Sequence, residues 1–193
     1  MEGVRIKQIL DQSVKIKGDI LKDEKLILAI RDVARGITEA FKNGKKVLLC
    51  GNGGSAADAQ HIAAEFTGKF YLDRPPLDAE ALHVNSSYLT AVANDYSYKE
   101  TYSRLIKAKG AKGDFLLAFS TSGNSENIID AIKTANDAGL TTVGFTGKSG
   151  GKMNGLCRHL IAVPSSDTPR IQETHILMGH IICELVEKSL FGK

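Results

Sequence analysis

Apolar residues follow two different rhythms along this chain. Up to Gly44 they fall at helical spacing: Val4, Ile6, Ile9, Leu10 and Val14 in a first run, then Leu26, Ile27, Ile30, Val33, Ala34, Ile37 and Phe41 in a second. This period predicts two amphipathic helices over 1–44, with Asp23 placed to cap the second and Gly44 to end it. They carry more apolar side chains than one face of a single domain needs, so part of this extension is expected in a subunit interface. From Lys45 onward the pattern becomes short, nearly continuous apolar runs at 47–50, 79–84, 115–120, 142–145 and 160–163. Such runs suit strands buried on both faces, as in a parallel sheet. Helical segments near 56–66, 86–93 and 127–138 separate them, the last stopped by Gly139. The alternation predicts right-handed crossovers and an α/β fold: a five-stranded parallel sheet between helical layers, a three-layer αβα sandwich. A last helix, about 170–188, has Ile171, Ile176, Leu177, Met178, Ile181, Ile182, Cys183, Leu185 and Val186 nearly all round it. Such a helix is expected to be buried, so Gln172 and His180 within it need a partner or a task.

Composition narrows the class without naming a function. The 193 residues contain no linker or low-complexity tract, which makes 1–193 a single domain. Hydrophobic content of 42% and charged content of 24% are those of an ordinary globular protein. The net charge of +3 is spread out, and the basic patches at Lys45, Lys46 and 107–112 are short and free of aromatics. That argues against nucleic acid and leaves room for a small anionic substrate. Charged residues stand where a leader would be apolar, and no run is long enough for a membrane span. Cys50, Cys157 and Cys183 are isolated and show no metal-finger spacing, which favours a reducing compartment, the cytoplasm by default.

Candidate chemistry begins at two loops. Gly51-Asn52-Gly53-Gly54-Ser55 joins a strand to a helix, where glycines admit a ligand to backbone N–H groups and the helix dipole favours an anion. It lacks both a Walker ending and a dinucleotide fingerprint, and a tight turn with Ser55 as cap would explain it alone. The second loop, Ser120-Thr121-Ser122-Gly123-Asn124-Ser125, repeats the arrangement. One cap per helix, worth about 1 kcal/mol, does not call for four hydroxyls in six residues. Several neutral donors suit a phosphate that must also be released.

With these motifs the chain resembles the sugar-phosphate isomerase (SIS) family, whose fold is flavodoxin- or Rossmann-like. The resemblance narrows to the phosphoheptose isomerases through Gly51-Asn52-Gly53-Gly54-Ser55-Ala56-Ala57-Asp58-Ala59-Gln60-His61 with Ala64-Glu65, Asn94-Asp95, Thr146-Gly147-Lys148-Ser149-Gly150-Gly151-Lys152-Met153, and Arg170-Ile171-Gln172-Glu173 with His175. It spans essentially the whole chain. It implies an aldose–ketose isomerase that converts D-sedoheptulose 7-phosphate to D-glycero-D-manno-heptose 7-phosphate, toward activated heptose for lipopolysaccharide and other surface glycans. It further implies a homotetramer with active sites at subunit interfaces and no membrane or nucleic-acid partner. SIS proteins that only sense sugar phosphates, or bind a replication initiator, share such loops; Glu65 together with His180 argues against a silent version.

His61 and Glu65 stand four residues apart, on one helical face, and can share a divalent ion. The resemblance implies one zinc per site on His61, Glu65, Gln172 and His180, with Glu65 and His180 catalytic. It also implies substrate contacts from Asn52, Gly53, Gly54, Ser55, Glu65, Asn94, Asp95, Ser120, Thr121, Ser122, Ser125 and Gln172. Gln172 and His180 lie eight residues apart, roughly 12 Å along a regular helix, so one helix hardly delivers both to one ion. Either Gln172 lies on an irregular first turn or the two come from different subunits, and Glu173 is a rival. Lys69 stands where related enzymes are expected to carry Arg. His83, His159 and His175 are expected to be structural or exposed, and Asp167-Thr168 to cap the last helix.

Overall fold

The structure, a computed structural model, describes residues 2–192. Five strands, β1 (Val47–Gly51), β2 (Ala79–Ala81), β3 (Phe115–Phe119), β4 (Thr141–Thr146) and β5 (His159–Ala162), pair in parallel in the order β2-β1-β3-β4-β5. The helices are α1 (Glu2–Leu21), α2 (Glu24–Lys42), α3 (Gly54–Thr67), α4 (Ser86–Asp95), α5 (Thr101–Lys109), α6 (Glu126–Asp137) and α7 (Thr168–Phe191).

Alternation along the strands builds two cores. Val47 and Leu49 of β1, with Phe115, Leu117 and Phe119 of β3, pack on α2, α3 and α7. Leu48, Cys50, Leu116 and Ala118 face the other way, onto α5 and α6. Both faces are covered, which is why these strands read as unbroken apolar runs.

Three elements depart from the sequence pattern. The apolar run at 79–84 yields only three strand residues at the sheet edge, although the Leu82 N–H still bonds the Leu49 carbonyl at 2.8 Å. The short helix α5 was not foreseen, because its one buried stripe (Thr101, Tyr102, Ser103 and Ile106) is largely polar by residue type. The last helix, apolar all round, is buried on one side only. Ile171, Met178, Ile182, Cys183 and Val186 face the core, while Leu185 is exposed.

The unburied side of α7 joins α1 and α2 in an apolar groove of about 210 Å³, lined by Ile20, Ile27, Ile30, Met178, Ile181 and Leu185. Beyond it Val4, Ile6, Leu10 and Val14 of α1 are all exposed. Against the core, α7 runs parallel to α3. His61 meets His180, and Gly179 lies so close to Ile62 that a Cβ there would overlap the Ile62 Cδ1. No helix among the described residues is long and apolar enough to cross a membrane.

Candidate active site

Strands β1 and β3 are neighbours, paired through Gly51 and Phe119 at their carboxyl ends. The chain then leaves β1 for α3 on one face of the sheet and β3 for α6 on the other. This is where strand order reverses, and such reversals open a crevice at the strand ends. Both suspected phosphate loops therefore sit side by side.

Neither helix start is closed by a side chain. Gly53, at φ +56°, turns the chain into α3 with no side-chain cap. Ser55, the alternative cap in the sequence, is instead the second residue of α3 and 3% exposed. Ser125 occupies the cap position of α6, but its hydroxyl pairs with that of Ser120 at 3.0 Å. By contrast Asp23 and Asn85 cap α2 and α4 through their side chains. The Ser55 and Ala56 N–H groups bond the Asn52 and Gly53 carbonyls (3.1 and 3.0 Å). Those of Gly53 and Gly54 at α3, and of Glu126 and Asn127 at α6, are left for an anion that the dipoles favour.

The loops are tied together through Asn52, named from the sequence, by Asn127, Tyr98 and Tyr102, which sequence reasoning missed. Asn52 and Asn127 exchange amide bonds, each Nδ2 donating to the other's Oδ1 at 2.9 Å. The Tyr98 hydroxyl donates to Asn52 Oδ1 at 3.0 Å, and the Tyr102 hydroxyl to the Gly51 carbonyl. Asn94 and Asp95 end α4 just before this stretch, both exposed, with the Asn94 amide on the Asp95 carboxylate at 2.9 Å.

A pocket of about 590 Å³ opens beside the second loop, lined by Thr121, Ser122, Lys148, Ser149, Ser166 and Thr168. The Gly147 N–H on the Thr121 carbonyl (3.0 Å) and the Lys148 N–H on the Ser165 carbonyl (2.9 Å) hold its walls. Asp167 stands at the cap position of α7, yet its side chain makes no capping bond, which corrects the expectation from sequence.

Seven residues into α3 the second part of the site appears. His61 Nε2 lies 2.9 Å from His180 Nε2 and 3.0 Å from Glu65 Oε1. Among the described residues these three form a cluster whose donor atoms all fall within 4.8 Å, the spacing of ligands around one metal ion. Within one chain Gln172 is not with them, which leaves, of the two options, only a Gln172 from another subunit for the ion. It belongs to the regular helix α7, and its amide lies against Gly54, where an added Cβ would come within 2.7 Å. That puts it roughly 10 Å short of His61 along α3, as helix geometry demands. Glu173, its rival, is held by Arg170 at 3.0 Å. Lys69 is exposed.

Asp58, one turn before His61, was not singled out. Its Oδ2 is buried without a partner, and burial raises the carboxyl to about 6 against the pull of His61. Arg74 and Glu187 were also missed. Arg74 Nε meets Glu187 Oε1 at 3.0 Å with both side chains almost fully buried. Burial pushes the Glu187 carboxyl up, but N–H donors from Tyr71, Phe70 and Leu72 and the Arg74 guanidinium outweigh it and hold it below the usual carboxylate range.

A family profile described as SIS domain matches residues 11–147. A phosphoheptose isomerase from Clostridium acetobutylicum is 55% identical over 184 residues, covering 95% of this chain and 94% of that protein. Among solved structures, phosphoheptose isomerase GmhA from Neisseria gonorrhoeae superposes with TM-score 0.91 at 38% identity, covering 97% of this chain and 100% of that one. A phosphoheptose isomerase from Francisella tularensis gives 0.93 at 33%, covering 97% and 99%. With the two-loop crevice and the histidine–carboxylate cluster on one fold, the chain belongs to the SIS-domain family, among the phosphoheptose isomerases, and is a sugar-phosphate isomerase.

Proposed function

We propose that the enzyme interconverts D-sedoheptulose 7-phosphate and D-glycero-D-manno-heptose 7-phosphate through an enediol, in the making of nucleotide-activated heptose. One observation carries this reading. The His61–Glu65–His180 cluster lies seven residues, roughly 10 Å, along α3 from its open start. An extended seven-carbon sugar chain spans that distance. Its phosphate is taken by the starts of α3 and α6 with Asn52, Gly53, Gly54, Ser55, Ser120, Thr121, Ser122 and Ser125. Gln172, beside Gly54, serves the sugar between the two ends rather than the cluster, and Asn94 and Asp95 approach its hydroxyls.

At the far end Glu65 removes the proton from the carbon next to the carbonyl while His180 protonates the carbonyl oxygen. Glu65 then returns its proton to the former carbonyl carbon while His180 takes the hydroxyl proton from the neighbouring carbon's oxygen, which becomes the new carbonyl. Two imidazole nitrogens and one carboxylate oxygen fit the three-ligand form of a catalytic zinc site, with a position left open. His61, Glu65 and His180 would hold the ion, whose chemistry is Lewis-acid polarisation of the sugar oxygens. The exposed apolar faces of α1 and α7 support a homotetramer, and three free cysteines support a cytoplasmic setting.

The test is an NMR assay with sedoheptulose 7-phosphate, with and without chelator. Turnover that chelation abolishes is the expected result, and no conversion by the metal-replete enzyme overturns the proposal. Glu65→Gln and His180→Gln are each expected to remove turnover and keep phosphate binding; a near-normal rate in either refutes its role.

A further inference from the structure

We propose that the buried Arg74–Glu187 pair is a positioning device, holding Glu65 against His180 from beneath the reacting groups; this rests on the roles given to those two residues above. Its bonds reach three separate parts of the fold. The Arg74 guanidinium donates to the carbonyls of Glu65 (2.8 Å) and Phe66 (2.6 Å), among the last in α3. Those carbonyls have no partner within the helix, so Arg74 ends α3 and fixes the backbone that carries Glu65.

Glu187 accepts the N–H groups of Phe70 (3.0 Å), Tyr71 (2.7 Å) and Leu72 (3.0 Å), together with Arg74 Nε (3.0 Å). It thereby straps the segment after α3 onto α7, two turns beyond His180. The strap lays the Phe70 ring 5.7 Å from the His180 ring. The pair thus bears on the backbone that carries Glu65 and, through Phe70, on the wall beside His180; a further Arg74 bond goes to the adjacent Pro75 carbonyl at 3.1 Å.

Stability alone is a poor account of the pair. With side chains 2% and 3% exposed, two charges have lost their hydration, and apolar residues of similar volume hold such a place as well. What apolar residues do not supply is a planar fork with fixed directions to two carbonyls, or one acceptor for three successive amides.

Arg74→Lys keeps the charge and loses the fork; Glu187→Gln keeps the shape and loses the anion. Each is compared with the parent, below its own melting transition, for kcat, KM and zinc affinity by chelator competition. The expected result is kcat lower by about tenfold or more and zinc held about tenfold more weakly, with KM within about threefold. If both variants keep parental kcat and zinc affinity, the proposal is overturned. Loss of sugar-phosphate affinity in step with kcat overturns it too, since that marks general loosening of the fold. If Arg74→Lys does not fold, Glu187→Gln decides. The zinc competition uses no sugar, so it still tests the pair if the parent fails to turn over sedoheptulose 7-phosphate.

Discussion

His175 shows how burial alone decides the charge of an imidazole. It is fully buried on α7, edge-on to Phe119 and Phe145, with Nε2 3.1 Å from the Thr146 carbonyl and Nδ1 without a partner. Nε2 therefore carries the hydrogen, and the ring is neutral. Burial pushes its pKa down to about 4, the Thr146 carbonyl pulling only weakly the other way. Between the ordinary value near 6.5 and about 4 the unfolded chain binds a proton that the folded one refuses, so stability falls as pH falls through that window. The loss is on the order of 3 kcal/mol. Asp58, raised to about 6, acts in the opposite sense over part of the range, so the comparison has to be with a variant. Urea unfolding of His175→Gln is expected to show a flatter decline from pH 7 to 4.5 than the parent; identical declines would refute this. His61 and Glu65 were legible as local partners one turn apart, whereas His180 stood out only as a polar residue in an apolar helix and through the family motif. Asp58 obeyed the same spacing and could have been found. Asn127, Tyr98 and Arg74 take partners 75, 46 and 113 residues away, and no local pattern announces them.

The seam between α3 and α7 sets the distance between the two halves of the proposed chemistry. The two helices pack tightly at Gly179, where any side chain meets Ile62. Gly179→Ala is expected to cost about 1–3 kcal/mol through overpacking. Adding Ile62→Val, which deletes Cδ1 but keeps Cγ1 (2.8 Å from the added Cβ), should restore part of that loss in thermal unfolding; no recovery in the double variant would place the strain elsewhere. Strand runs were readable because a parallel sheet covered on both faces leaves an unbroken apolar signature. Helix α5 was hidden because its buried stripe is built from Thr101, Tyr102 and Ser103. The last helix was over-read, since apolar residues on every side do not say whether the chain's own core or another surface covers them.

At the scale of the whole molecule, the apolar side of α1 is out of proportion to a lone domain. Val4, Ile6, Leu10 and Val14 are 58–68% exposed and lead toward the groove between α1, α2 and α7. On the proposed reading, this surface is covered in the homotetramer. Val14→Asp is expected to leave the monomer's stability almost unchanged and to lower the mass seen in sedimentation equilibrium. A mass equal to the parent's would remove Val14 from any interface. Because α3 and α7 run side by side in one fixed register, the span from their open ends to the histidines is written into helix rise and owes nothing to loops. The fold thus works as a ruler. On the proposed reading, ketose phosphates with shorter carbon chains, gripped at the same end, stop short of Glu65, and selection among sugars is by length before it is by hydroxyl configuration.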